Sequence, residues 1–196
     1  MPGDGKIGVL ALQGGFAEHI HRLTAMGVPC SEVRLPGDII GLNGLIIPGG
    51  ESTTIGKLAV TYGLMEPIRQ LARTRPVWGI CAGAVFMAKQ VQTSQPVLGL
   101  MDITIQRNAF GRQASSFEAD LDVPFLRQYQ NGQSSPFHAI FIRAPRIESV
   151  RAGIDVLARL TDGSIVAARQ GHLMITSFHP ELTGDDRFHR YFLDLK

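Results

Sequence analysis

Short apolar runs that stop abruptly on glycine recur through the first half of this chain, and apolar residues at helical spacing follow them. Residues 7–12 are closed by Gln13-Gly14-Gly15, after which Phe16, Ile20 and Leu23 repeat with a helical period until Met26-Gly27. Residues 45–47 end on Pro48-Gly49-Gly50 and lead into a stripe of Ile55, Leu58, Ala59 and Tyr62. Residues 76–80 end on Cys81 and lead into an apolar helix over 82–89, and residues 32–35 read as one more strand. Strands that are continuous apolar runs are buried on both faces, and strands alternating with helices build parallel sheets covered on both sides. The first half is therefore an α/β layer structure.

The second half has a different rhythm. Strands are expected over 102–106, 117–121, 140–143, 155–160, 165–169 and 173–178 with few helices between them, and Asp162-Gly163 signals a hairpin turn. Phe188, Tyr191, Phe192 and Leu195 fall at i, i+3, i+4 and i+7, the pattern of a closing amphipathic helix. The polar segment 128–136 reads as a surface loop, since too little chain remains on either side for a second domain. One domain over residues 1–196 is expected.

Composition narrows the function. Hydrophobic residues are 44% and charged residues 18% of the chain, which excludes a disordered polymer. A formal charge of +2 names no nucleic-acid or membrane partner, and none is expected. Two cysteines, Cys30 and Cys81, make no disulfide framework, and no signal-peptide or membrane-length segment occurs near the N-terminus, so a reducing, cytoplasmic setting is expected.

The sharpest local feature is Gly79-Ile80-Cys81-Ala82-Gly83 between a strand and a helix, the nucleophile-elbow pattern with cysteine at its centre. A side chain exposed on so tight a turn forces its neighbours two residues away against other backbone, where a Cβ collides. A thiol at a helix N-terminus is also biased toward thiolate. Without the glycine frame, a free cysteine is simply a small buried apolar residue. A thiolate nucleophile needs a base held by a third group. Of the six histidines, His179 is the candidate: it follows an apolar strand and belongs to His179-Pro180-Glu181. In an extended segment residues i and i+2 point the same way, so Glu181 would fix the imidazole. His19 and His21 read as surface residues, not a metal pair, and His138, His172 and His189 have no partner visible in the sequence. Pro48-Gly49-Gly50-Glu51-Ser52-Thr53-Thr54 offers bare N–H groups to an oxyanion or a carboxylate, or else is a turn with a helix cap. It lacks the Lys-Ser/Thr pair of a phosphate loop. A zinc site from Cys81, His179 and Glu181 lacks the spacing of common zinc sites, so no metal is expected.

GICAG around Cys81, PGGES at 48–52 and HPE at 179–181 resemble the class I, triad-type glutamine amidotransferases. GVLALQG (8–14), PGGESTT (48–54), RNAFGRQ (107–113), SFEADL (116–121), FIRAP (141–145) and SFHPELT (177–183) are similar to the glutaminase subunits of pyridoxal 5′-phosphate synthases, so the resemblance runs nearly end to end. Ile80 where many relatives carry Thr, Gly15 after Gln13-Gly14, and the longer 128–136 segment depart from that pattern without removing a catalytic group.

The resemblance implies a three-layer, flavodoxin-like α/β fold with helices on both faces and mixed strands in the second half. It also implies hydrolysis of L-glutamine to L-glutamate and ammonia without a cofactor. It assigns Cys81 as nucleophile, His179 as general acid and base, and Glu181 as its orienting partner. Glutamine contacts fall to Gly50, Glu51, Ser52, Arg107, Ile142 and Arg143, and Gly50 and Ala82 N–H groups are the oxyanion-hole candidates. A synthase subunit is the implied partner, receiving ammonia through an internal passage and acting on a gated loop at Gln13 and Gly14. The rival readings are a glutaminase subunit of another enzyme, such as imidazole glycerol phosphate synthase, and a non-catalytic regulatory subunit of the same fold.

Overall fold

Four parallel strands lead the sheet: Ile7–Leu10 (β1), Cys30–Val33 (β2), Gly44–Ile47 (β3) and Val77–Ile80 (β4). The computed structural model describes residues 5–107, 116–129 and 135–196 of the chain. Most of the 107–113 block and the centre of the 128–136 loop lie outside the described residues. Between the first strands stand the helices Phe16–Ala25 (α1), Ser52–Thr61 (α2) and Met65–Leu71 (α3), and Ala82–Met87 (α4) follows β4. The remaining strands are Ala88–Val91 (β5), Met101–Gln106 (β6), Ser116–Leu121 (β7), Phe137–Ile142 (β8), Arg146–Val150 (β9), Asp155–Arg159 (β10), Ile165–Gln170 (β11) and Leu173–Thr176 (β12), before the closing helix Arg187–Leu193 (α5).

The main sheet runs β2-β1-β3-β4-β12-β11-β9-β6-β5, with β10 hydrogen-bonded to β11. It is parallel from β2 through β12, and antiparallel through β11, β9 and β6. The expected α/β sheet with mixed strands in its second half is therefore present. Alternate residues of the central strands enter opposite cores. Val9, Ile46, Trp78 and Met174 pack on one side, while Leu10, Leu45, Val77 and Ile175 pack on the other. Both faces are dry, which is why these strands carry no polar alternation. α2, α3 and α4 cover one face. α1, α5 and the β7–β8 ribbon cover the other, where Phe137, Phe141, Phe178 and Phe188 form an aromatic cluster.

Several boundaries depart from expectation. The helix expected over 82–89 stops at Met87, and the chain turns directly into β5, which pairs in parallel with β6. The second strand lies two residues earlier than read, and α3 and β9 had no counterpart in the sequence reading. The closing helix ends at Leu193, before Leu195. The Asp162-Gly163 hairpin joins β10 to β11, with Gly163 at φ 84° and the Asp162 carboxylate accepting from the Ser164 N–H at 2.8 Å. Among the described residues no helix is long and apolar enough to cross a membrane.

Candidate active site

Cys81 follows β4 at φ 50° and ψ −103°, a backbone conformation that L-residues avoid. Its N–H donates to the Thr176 carbonyl at 2.8 Å and its carbonyl accepts from Val85 N–H at 3.2 Å, so both flanks of the turn are tied down. The glycine frame is sterically required. A Cβ on Gly79 would stand 2.7 Å from the Gly83 carbonyl carbon, and one on Gly83 would stand 2.1 Å from the Ile47 carbonyl oxygen. The thiol is buried, and its Sγ lies 3.8 Å from the Ile142 carbonyl oxygen.

His179 is carried by the segment beyond β12, and its N–H donates to the Ile140 carbonyl at 2.8 Å. Its side chain lines the same cleft as Cys81 and interacts with it electrostatically, and Nδ1 lies 2.7 Å from Glu181 Oε1. The pairing of His179 with Glu181 agrees with the sequence reading, although its route does not. Pro180–Leu182 is a 3-10 turn with Pro180 in its first position, not an extended segment, so Glu181 folds back toward His179. Glu181 is 6% exposed. Burial alone would pull His179 down, yet its polar interactions with Cys81 and Glu181 push it up to about 10. Glu181 moves the other way: burial raises it, and the His179 hydrogen bond and the charges of His19 and His179 hold it below the ordinary carboxylate range. The two directions describe an ion pair behind the thiol.

The loop after β3 forms the opposite wall. Gly49 packs against the imidazole so closely that a Cβ there would lie 2.4 Å from His179 Cε1. Glu51 caps α2, accepting from Thr54 N–H at 2.9 Å and from the hydroxyls of Thr53 and Thr54, and it meets Arg107 Nη2 at 2.5 Å. Burial opposes its ionisation, but these hydrogen bonds and the Arg107 charge win and hold Glu51 at about 2. Ser52 and Arg107 both donate to Gln95 Oε1 at 3.2 Å, so Gln95 ties the two together. Gln95 escaped the sequence reading because it lies in an irregular segment 43 residues from Ser52.

One cleft of about 310 Å³ gathers Gly50, Glu51, Ser52, Cys81, Ala82, Arg107, Ile142, Arg143, His179 and Glu181, together with Gly14 and Gly15. Arg143 sits at φ 45°, a second strained residue on the rim. Gln13 lies behind the cleft wall instead of lining it, with its Oε1 accepting from Glu51 N–H at 2.6 Å. Cys30 is elsewhere, within 3.9 Å of the Ile20 carbonyl.

The other histidines need correction. His19 is not a surface residue: it is fully buried, 3.5 Å from Glu181 Oε2 and 3.3 Å from His189. Its position was legible, since His19 shares the Phe16, Ile20 and Leu23 face of α1. His138 bridges Asp120 and Glu118 on the exposed β7–β8 ribbon, whose hydrogen bonds raise it, and His172 Nε2 lies 2.8 Å from the Ala72 carbonyl.

The SNO glutamine amidotransferase family matches residues 9–195 of the chain. A pyridoxal 5′-phosphate synthase subunit PdxT from Herpetosiphon aurantiacus is 56% identical over 194 residues, covering 96% of this chain and 99% of that relative. Another from Moorella thermoacetica is 54% identical over 192 residues, covering 97% of this chain and 98% of its own length. A solved crystal structure of a glutamine amidotransferase superposes with a TM-score of 0.88 at 47% identity, covering 96% of this chain and 97% of that one.

Proposed function

The chain belongs to the SNO glutamine amidotransferase family, and from that premise we propose that it is the glutaminase subunit of a pyridoxal 5′-phosphate synthase. It hydrolyses L-glutamine to L-glutamate and ammonia, and the ammonia passes to a synthase subunit that builds pyridoxal 5′-phosphate. The observation that carries this reading is the side-chain chain Cys81, His179 and Glu181 at one end of a cleft whose other end is the Glu51–Arg107 pair.

The cleft is at the small end of the usual ligand range, suited to a small amino acid. The ionised Glu51 and the Arg107 and Arg143 guanidiniums offer both signs of charge to a zwitterionic head group, with Ser52 and Ile142 beside them. The side-chain amide then reaches Cys81. The thiolate attacks the amide carbon, and the developing oxyanion is met by the Ala82 N–H and the Gly50 N–H. His179, protonated and held by Glu181, gives its proton to the departing ammonia. A water then attacks the γ-glutamyl thioester as His179 takes one of its protons, and the C–S bond breaks to release glutamate and restore the Cys81 thiolate beside the protonated His179. The elbow conformation supports the nucleophile assignment, because strain of this kind persists only where the surrounding structure enforces it.

The test is glutamate release by the chain alone, with the matching synthase subunit, and with an imidazole glycerol phosphate synthase partner. Turnover should be slow alone and rise by ~10²-fold or more with the matching synthase only, the gain from one added oxyanion donor. Full turnover without any partner removes the gating element of this reading. Activation by the other partner removes its assignment to pyridoxal 5′-phosphate synthesis.

A further inference from the structure

Glu181 uses one carboxylate oxygen on His179 and leaves the other, Oε2, buried and without a hydrogen bond to any other described group. Nε2 of His19 stands 3.5 Å away and is likewise buried without a hydrogen bond among the described residues. An ionised carboxylate cannot donate, so the His19 Nε2 facing it carries the hydrogen. In a neutral imidazole the other nitrogen is then an acceptor, and His19 Nδ1 lies 3.3 Å from His189 Nε2, which must donate. Both rings are fully buried, packed edge-on against Trp78.

The charged and titratable groups around His19 are Glu18 and Arg22 on its own helix, Glu181 and His179 beyond β12, and His189 on α5. Burial lowers His19 more than the Glu181 charge raises it, and burial takes His189 well below its ordinary value. At neutral pH two uncharged rings with fixed tautomers thus stand behind the carboxylate, and His19 takes up its charge only in acid, where Glu181 itself titrates. α1 is anchored over the same turn by a hydrogen bond from Arg22 Nη2 to the Thr183 carbonyl.

We infer that His19 is a positioning residue for the glutaminase reaction: its Nε2–H holds the Glu181 oxygen that His179 does not use, with His189 fixing its tautomer. The inference rests on the Cys81, His179 and Glu181 reading above. A carboxylate held at one oxygen can rotate about its C–C bond; held at both, it keeps its plane and charge aimed at His179. Outer partners of this kind orient the groups they bind without touching substrate.

The test is steady-state glutamine turnover, in the complex with the synthase subunit, for His19→Leu, His19→Gln, His19→Asn, Glu181→Gln and the His19→Leu/Glu181→Gln pair. His19→Leu keeps volume but loses the donor, and kcat should fall about tenfold with KM within about twofold, the scale of one hydrogen bond to a charged group. The carboxamide of Gln reaches the place of Nε2 and restores kcat to within about twofold of the parent. Asn is too short and does not. In the Glu181→Gln background, adding His19→Leu should change kcat by less than about twofold, since the two substitutions break one chain. A full independent loss in that background, or an unaltered kcat in His19→Leu, overturns the inference while leaving the triad standing. Parental kcat in Glu181→Gln alone overturns the triad reading itself. Should His19→Leu fail to fold, the Gln against Asn comparison decides: equal kcat values reject the donor role.

Discussion

The backbone N–H of Gly15 donates to the carbonyl of Gly49 at 3.0 Å, so the loops that end β1 and β3 are joined at the lip of the cleft. In a trans peptide the N–H points opposite to the C=O, and the Gly49–Gly50 unit therefore turns its N–H away from the Gly15 loop. Gln13 secures the next peptide through its bond from Glu51 N–H at 2.6 Å. This coupling gives the Gln13 and Gly14 loop a physical handle on the Gly50 N–H, the proposed oxyanion donor.

Gly14 is where that handle is tightest. It sits at φ 99°, and a Cβ there would lie 1.8 Å from the Gly49 oxygen. Gly14→Ala should push the two loops apart, turn or displace the Gly50 N–H, and lower kcat by ~10²–10³-fold, the scale of one oxyanion donor. Kinetics with the synthase present, alongside a thermal melt, measures it; a parental kcat in a folded variant separates Gly14 from the oxyanion hole.

Cys81→Ala should abolish turnover in a folded protein, whereas Cys30→Ala, outside the cleft, should leave it unchanged. Cys81→Gly should be equally inactive and more stable than Cys81→Ala by about 1 kcal/mol. Relief of backbone strain worth about 1–3 kcal/mol exceeds the extra chain entropy of glycine, about 0.5–1 kcal/mol. Both variants lack the thiol, so their difference in denaturant midpoint isolates the strain at φ 50°. A less stable Gly variant would mean that the elbow is not strained.

Arg107→Ala should raise KM for glutamine at least about tenfold while changing stability by less than about 1 kcal/mol, because its ion pair with the partly exposed Glu51 is worth little to folding. Loss of kcat with KM unaltered would place Arg107 in the chemistry and not in binding.

These sites differ in how far the sequence revealed them, and the reason is steric or topological in each case. The Cys81 elbow was legible because Gly79 and Gly83 are demanded by contacts that any such turn makes. The α/β alternation was legible because dry strands leave a continuous apolar run. Paired with His21 two residues on, His19 reads as a surface residue, although its position on the Phe16, Ile20 and Leu23 face of α1 puts it inside. The turn at Met87 into β5 was invisible locally, since pairing with β6 decides it, and Gln95 gained its role only when the fold brought Ser52 and Arg107 to it. Local rules saw what neighbours in sequence decide; they missed what distant partners impose.

The Glu181 carboxylate makes the last prediction, in which stability and rate are read together. Its folded value lies below the ordinary 4.5, held down against burial by the His179 hydrogen bond and the charges of His19 and His179. A group lowered in this way binds fewer protons folded than unfolded, so its stabilisation is fully present above its unfolded value and is lost as pH falls through the folded one. Glu181→Gln lacks this contribution. The difference in unfolding free energy between parent and variant, followed by urea unfolding, should therefore be greatest between about pH 5 and 6.5, shrink steadily below about pH 4.5 as Glu181 is protonated, and shrink again toward about pH 10 as His179 loses its proton. At neutral pH the same variant keeps the shape of the triad but weakens imidazolium stabilisation. Its kcat should fall yet stay above that of His179→Ala, which should approach the inactivity of Cys81→Ala. A stability difference that stays flat into strong acid would detach Glu181 from the ion pair. A Glu181→Gln variant as inactive as Cys81→Ala at parental stability would give the carboxylate a part in proton transfer beyond holding His179.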